Sequence, residues 1–274
     1  MDLTGILEIA RLTDVGQKRD HNEDAVAGDV ETGLLVLADG MGGYKAGEVA
    51  SEIAVLTILA ELKESLPNQL PGSIDVTSGM QMESVLLRDA VAKANANIYH
   101  VSQTQPQCSG MGTTLVVALF TNDRVLVGHI GDSRMYRLRG DDFSQITEDH
   151  SLLQEQINFG LITPEQARHS VNKNLVTRAL GVDPEVDLEL HEYQVLPGDL
   201  FLICSDGLTD LVEDEDIYLT LTALNANLEV AAHHLVQLAN DNGGNDNISV
   251  ILARAALPFP AGRSWRKKIL NWLK

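Results

Sequence analysis

The chain is poor in cysteine, with only Cys108 and Cys204 in 274 residues. Two thiols far apart in sequence give neither a disulfide framework nor the paired spacing of a zinc site. Cys204 ends the apolar run Leu200 to Cys204 and reads as a small core residue. A reducing, cytoplasmic setting is the default expectation. Long apolar runs are missing too: none approaches the roughly 18 residues that span a bilayer. The start, Met1-Asp2-Leu3, lacks the basic and apolar regions of a signal peptide. No period of about 20 to 50 residues repeats, which argues against a solenoid or propeller. Basic charge is scarce, with 20 Lys and Arg against 39 Asp and Glu and a net charge of -19. A nucleic-acid partner needs a basic face, so none is expected.

Acid is plentiful, and it recurs in telling places. Five stretches stand out: Arg19-Asp20-His21-Asn22-Glu23-Asp24, Asp39-Gly40-Met41-Gly42-Gly43, Gly131-Asp132-Ser133-Arg134, Ser205-Asp206-Gly207 and Asn245-Asp246-Asn247. Three directly follow strand-like runs, Leu34 to Ala38, Val125 to Ile130 and Leu200 to Cys204. A carboxylate where a buried strand emerges is held near the core, and several converging there repel unless they share hard cations. The pattern points to a multi-metal site of oxygen ligands. No cluster of His or Cys is visible, which favours Mg2+ or Mn2+ over zinc. Turn and cap chemistry is the plainer account of Asp beside Gly, but it explains one or two of these, not the ordered set.

Apolar spacing gives the elements. Leu7 to Leu12 alternates as a half-buried strand and turns at Asp14-Val15-Gly16. Leu115 to Phe120 and Val125 to Ile130 read as strands joined by a hairpin at Thr121-Asn122-Asp123, with Arg134 to Leu138 continuing the meander. Helices are expected from about Gly47 to Leu66, with Val49, Ile53, Leu56, Leu59 and Leu62 on the inner face, and from Met82 to Val101, with Val85, Leu86, Ala90, Ala94 and Ile98 aligned. Pro67 to Gly79 reads as a loop, Leu228 to Ala239 as a helix and Ile248 to Ala253 as a last buried strand. Hairpin-length links favour antiparallel sheets with helices outside, an α+β fold. Residues 150 to 180 read as a surface subdomain near the site.

Taken together, these stretches resemble the metal-dependent serine/threonine protein phosphatases of the type 2C (PPM) family, bacterial type, from about Ala10 to Ala253. Thr13-Asp14-Val15-Gly16 leads to Arg19, Asn22, Glu23, Asp24 and Ala25. Then follow, in family order, Asp39-Gly40-Met41-Gly42-Gly43, Ser109-Gly110-Met111-Gly112-Thr113-Thr114, Gly128-His129-Ile130-Gly131-Asp132-Ser133-Arg134, Thr177-Arg178-Ala179-Leu180-Gly181, Ser205-Asp206-Gly207-Leu208 and Asp246-Asn247.

The resemblance implies a four-layer α-β-β-α sandwich over residues 1–256, with a flap at about 149–176. It implies two Mn2+ or Mg2+ ions bridged by Asp39, the first completed by Asp206 and Asp246, the second by Glu23 and the Gly40 carbonyl. Asp24 would accept from water on a metal, and Asp132 with Asp206 would hold a third, weaker ion. Two ions about 3.5–4 Å apart can activate one water for in-line attack on phosphorus, without a covalent phosphoenzyme. Arg19 is the candidate phosphate clamp; its bland alternative is an ion pair with Asp20 or Glu23. The general acid is open: Met41 stands where many eukaryotic relatives have histidine, and His21 and His169 are the nearest alternatives. Ser170 stands in the flap where relatives often carry proline.

The expected activity is hydrolysis of phosphoserine and phosphothreonine in proteins. A serine/threonine kinase or that kinase's targets would be the partner, and a monomer is expected. The rivals are a catalytically silent binding module of the same fold and a phosphatase for a phosphorylated anti-sigma-factor antagonist. Residues 257–274 lie outside the resemblance. There a Pro/Gly linker precedes five basic residues and both tryptophans, Trp265 and Trp272. That basic amphipathic tail fits either weak peripheral membrane or partner contact, or docking on the protein's own acidic body.

Overall fold

The computed structural model describes residues 2–259, apart from 44, 71, 169 and 171–174. Two antiparallel sheets face each other. The first is built from β1 (Leu7–Asp14), β7 (Arg134–Arg139), β8 (Asp142–Gln145), β10 (Leu200–Cys204) and β11 (Ile248–Ala255) in the spatial order β1-β11-β10-β7-β8. The second runs β2 (Asp24–Asp29), β3 (Leu34–Met41), β5 (Leu115–Thr121), β6 (Arg124–Ile130), β9 (Glu189–Gln194), and the short β4 (Gly112–Thr113) pairs with the end of β3. Helices α1 (Ala46–Ser65) and α2 (Met82–Thr104) cover the second sheet. The first is covered by α6 (Asp214–Leu224) and α7 (Leu228–Asp241). Between β8 and β9 lie α3 (Leu152–Asn158) and α4 (Pro164–Arg168), and the single turn α5 (Asp206–Thr209) follows β10. This is the expected four-layer sandwich.

The central strands read as unbroken apolar runs because each is buried on both faces, one against the opposite sheet and one against helices. Every residue of β5 is buried. Phe120 and Phe201 meet edge-to-face between the sheets at 5.4 Å, a geometry adding about 0.5–1.5 kcal/mol to the burial of the rings. Both cysteines are free and buried, and burial pushes the Cys204 thiol up to about 12. It is therefore a core residue and not a nucleophile.

Three expectations need correction. β7 does not continue the meander: after β6 the chain leaves the second sheet and joins the first, pairing with β10 and β8. Gly131, at φ +100°, makes that crossing, and a β-carbon there would lie 2.7 Å from a Thr114 methyl. The inner face of α1 is also rotated. Ala50, Ala54, Ile58 and Leu62 are fully buried, whereas Leu56 is 64% exposed. Small alanines let the helix approach the sheet closely, and a reading weighted toward large apolar residues missed them. On α2 the buried face is likewise Leu87, Ala90, Val91, Ala94 and Ile98, with Val85 and Leu86 only half-buried. β2, β8, β9 and α6 carried no clear apolar signal; β8 and β9 are edge strands whose outer residues can be polar. The basic tail, residues 263–274, lies outside the described residues. Among the described residues, no helix is long and apolar enough to cross a membrane.

Candidate metal centre and active site

Antiparallel pairing brings the acidic stretches to one end of the sandwich. Asp39 lies near the end of β3, directly opposite Asp24 at the start of β2. Asp132 sits in the crossing between β6 and β7, Asp206 just beyond β10 and Asp246 just before β11. One cavity of about 290 Å³ is lined by Asp39, Asp132, Asp206 and Asp246 together with Arg19, Glu23, Gly40 and Met41. Seven of the eight expected site residues thus share a wall. The eighth, Asp24, is buried behind Asp39 and interacts with it directly.

The supports are specific. The Asp39 N–H donates to Thr114 Oγ1 at 3.1 Å, and its carbonyl accepts from the Thr114 N–H and Thr113 Oγ1, each at 2.8 Å. Ser205 Oγ donates to Asp24 Oδ2 at 2.9 Å and accepts from the Ser249 N–H at 3.0 Å. Asn247 organises the opening loop: its Oδ1 accepts from the Glu23 N–H at 2.7 Å, and its Nδ2 donates to the carbonyls of Val15 and His21. Its own N–H donates to Asp246 Oδ1 at 2.8 Å. Sequence reasoning quoted Thr114 and Asn247 within motifs but gave them no role; a signal for Asn247 was its place between an acidic turn and a buried strand.

Gly40 and Gly47 permit the closest approach. A β-carbon on Gly40 would lie 2.1 Å from the Gly47 carbonyl oxygen. One on Gly47 would lie 2.8 Å from the Gly40 carbonyl oxygen and 2.9 Å from the Glu23 carboxyl carbon. The start of α1 is therefore pressed against the two oxygen donors expected to share the second ion. Gly47 was not singled out in the sequence.

Electrostatics shows what the site lacks by itself. Burial, reinforced by Asp24, Asp206, Asp132 and Asp246, holds the Asp39 carboxyl well above its ordinary range. Burial and Asp132 do the same to Asp206. Asp24 and Asp132 are each pushed up to about 6, burial again being the main cause. Asp24 Oδ1 is buried without a hydrogen-bond partner. Packed carboxylates of this kind are tolerable when hard cations neutralise them. The donor set, all oxygen, fits Mn2+ or Mg2+.

Arg19 is about half exposed and bonds Asp246 at 2.6 Å, rather than Asp20 or Glu23, although the Glu23 charge is near enough to act on it. Met41 lines the cavity and carries no ionisable proton. His21 is exposed and His169 lies outside the described residues. In a second cavity that also borders Asp132 and Asp206, Arg134 grips both oxygens of Asp149, and Val176 from the far end of the flap reaches the wall of the first.

One histidine cluster does form, contrary to the sequence reading. His129, His150 and Glu189 bring ligand-type atoms within 4.8 Å of one another. Their hydrogen bonds assign them another part. His150 Nδ1 accepts from the Gly131 N–H at 3.1 Å, so its Nε2 carries the proton and donates to Glu189 at 3.1 Å. That nitrogen has no lone pair for a metal.

The sequence profile described as Protein phosphatase 2C matches residues 16–240. The chain belongs to the protein phosphatase 2C family. It is 40% identical over 254 residues to the serine/threonine protein phosphatase PstP of Mycobacterium tuberculosis, covering 92% of this chain and 45% of that protein. This chain thus spans about half the length of that relative. It is 36% identical over 251 residues to the serine/threonine phosphatase stp of Listeria welshimeri, covering 89% of this chain and 94% of that one. Among solved structures, that of M. tuberculosis PstP/Ppp superposes with a TM-score of 0.81 at 38% identity, covering 92% of this chain and 99% of that one. The PstP catalytic domain in complex with two manganese ions superposes with a TM-score of 0.78 at 38% identity, covering 90% and 97%. The class expected from sequence, a metal-dependent serine/threonine protein phosphatase, is the class of these family members.

Proposed function

We propose that the chain hydrolyses phosphoserine and phosphothreonine in proteins, using Mn2+ or Mg2+. The observation that supports this most is the convergence of Asp39, Asp206, Asp132 and Asp246 on one cavity whose rim carries Arg19. Asp39 would bridge two ions, with Asp206 and Asp246 on one side and Glu23 and the Gly40 carbonyl on the other. Asp132 with Asp206 would hold a third, weaker ion. Bound there, such ions supply an activated water and offset the charge that builds up on the phosphoryl group.

The chain's own groups do the rest. Arg19 would exchange Asp246 for the phosphate, which its planar guanidinium can grip through two oxygens. Asp24, held by Ser205, would accept a hydrogen bond from water in the cavity. Thr114 is the one hydroxyl residue in the described cavity wall, and its Oγ1 is already engaged by the Asp39 N–H and by Ser133 Oγ at 2.7 Å. No described hydroxyl in the wall is therefore free as a nucleophile, and with the carboxylates of the wall assigned to the ions the reaction would proceed without a covalent phosphoenzyme. Met41 cannot protonate the leaving oxygen. The substrate would be a phosphoprotein of a serine/threonine kinase system, and residues 1–256 would be the phosphatase domain.

The test is hydrolysis of a phosphothreonine peptide with Mn2+, Mg2+ or EDTA, in wild type and Asp39→Asn. Metal-dependent turnover is expected to fall at least about a hundredfold in the variant and to vanish in EDTA. Wild type that binds Mn2+ by calorimetry yet turns over no phosphopeptide would favour the silent binding module instead.

A further inference from the structure

We propose that His150, oriented by Glu189, is a positioning residue that fixes Asp132 in the cavity wall and couples it to the neck of the flap. The inference rests on the reading of Asp132 as a ligand of the weaker ion.

Asp132 follows a glycine that has φ +100° and no room for a side chain. A glycine has wide backbone freedom, so the place of the next carboxylate must be enforced from outside. His150 supplies that from both sides of one residue. Its backbone N–H donates to the Gly131 carbonyl at 2.9 Å, and its ring Nδ1 accepts from the Gly131 N–H at 3.1 Å. The second contact requires the tautomer with its proton on Nε2, and Glu189 selects it by accepting from Nε2 at 3.1 Å, closer than the Arg178 Nη1 that lies 3.4 Å from the same nitrogen.

Glu189 is itself fixed. Its other oxygen is bonded by His191 at 2.8 Å, and β9 is paired to β6 with Glu189 opposite His129. The His129 ring stacks on His150 with centroids 4.6 Å apart. The ring that holds Gly131 is thus fixed on its far edge and on one face.

His150 also closes the flap. Its carbonyl accepts from the Thr177 N–H at 2.8 Å, and the next residue, Ser151, bridges to Val176. Val176 lines the catalytic cavity. One residue therefore joins the turn bearing Asp132 to the point where both ends of the flap meet.

The test reads Mn2+ binding directly, by the EPR signal of free Mn2+ during titration of the full chain, with thermal unfolding as a folding control. His150→Leu removes the acceptor; His150→Asn puts Oδ1 near the place of Nδ1 and retains one. The weakest Mn2+ site is expected to lose affinity at least about fivefold in His150→Leu and less than about twofold in His150→Asn. Asp132→Asn should abolish that site, and adding His150→Leu to it should change nothing more. If His150→Leu fails to fold, Glu189→Ala on the edge strand carries the same test, with an expected loss of about threefold.

Wild-type binding in His150→Leu or Glu189→Ala while Asp132→Asn loses the site would overturn the proposal and leave the metal reading intact. Equal loss in His150→Asn and His150→Leu would show that ring volume matters and not the acceptor, which also overturns it. Unchanged binding in Asp132→Asn would sink the third-ion reading itself, and any effect of His150→Leu would then arise elsewhere.

Discussion

Asp132 keeps its proton to about pH 6 in the folded chain, against an ordinary value of 3.8. Between those two pH values the unfolded chain releases this proton while the folded chain retains it. Stability without metal therefore falls as pH rises through that window and stays lower above it. At about 1.4 kcal/mol per pKa unit, the shift caps the effect at about 3 kcal/mol. Asp132→Asn, though expected to lose an ion, should raise the melting temperature of the EDTA-treated protein by several degrees at pH 7.5 and leave it nearly unchanged at pH 4. A variant melting lower than wild type at both pH values would contradict the buried charge. Asp39, Asp206, Asp132 and Asp246 were legible in the sequence because each stands beside glycine or asparagine at a strand end. Gly47, Asn247 and His150 were not, because their parts depend on groups that only the fold brings beside them, from Gly40 near Gly47 in the chain to Val15 and His21 at the other end from Asn247.

At the scale of elements, strands were easier to read than helix faces. Leu115 to Phe120 is buried on both sides, and an unbroken apolar run has no face to misjudge. α1 does have a face, and it is lined with alanine. Ile58→Ala is expected to cost about 2–5 kcal/mol in urea unfolding, as for other fully buried aliphatic side chains. Leu56→Ala, at 64% exposure, should stay within about 0.5 kcal/mol. Similar losses at both positions would restore the face expected from large residues alone. The crossing at Gly131 shows why connectivity was misread: a short link between two strands looks like a hairpin turn. Only the pairing of β7 with β10 shows that the link joins two sheets.

For the whole molecule, the fold gathers charge that it does not itself neutralise. A ligand that binds only the folded state stabilises it by about 2.7 kcal/mol when free ligand is a hundred times its Kd. Mn2+ at such excess is expected to raise the melting temperature of wild type by several degrees, and much less in Asp39→Asn. Equal shifts in both proteins would place the binding outside this cavity. The sequence by itself determined the central apolar strands, the acidic turns that end them and the family motifs, because these depend on neighbours a few residues apart. The tertiary structure alone decided which helix faces are buried and that Arg19 rests on Asp246. It also decided that two histidines and a glutamate from three separate segments meet behind Asp132. Those contacts span tens to hundreds of residues, and only the pairing of strands within each sheet and the packing of one sheet on the other bring them together.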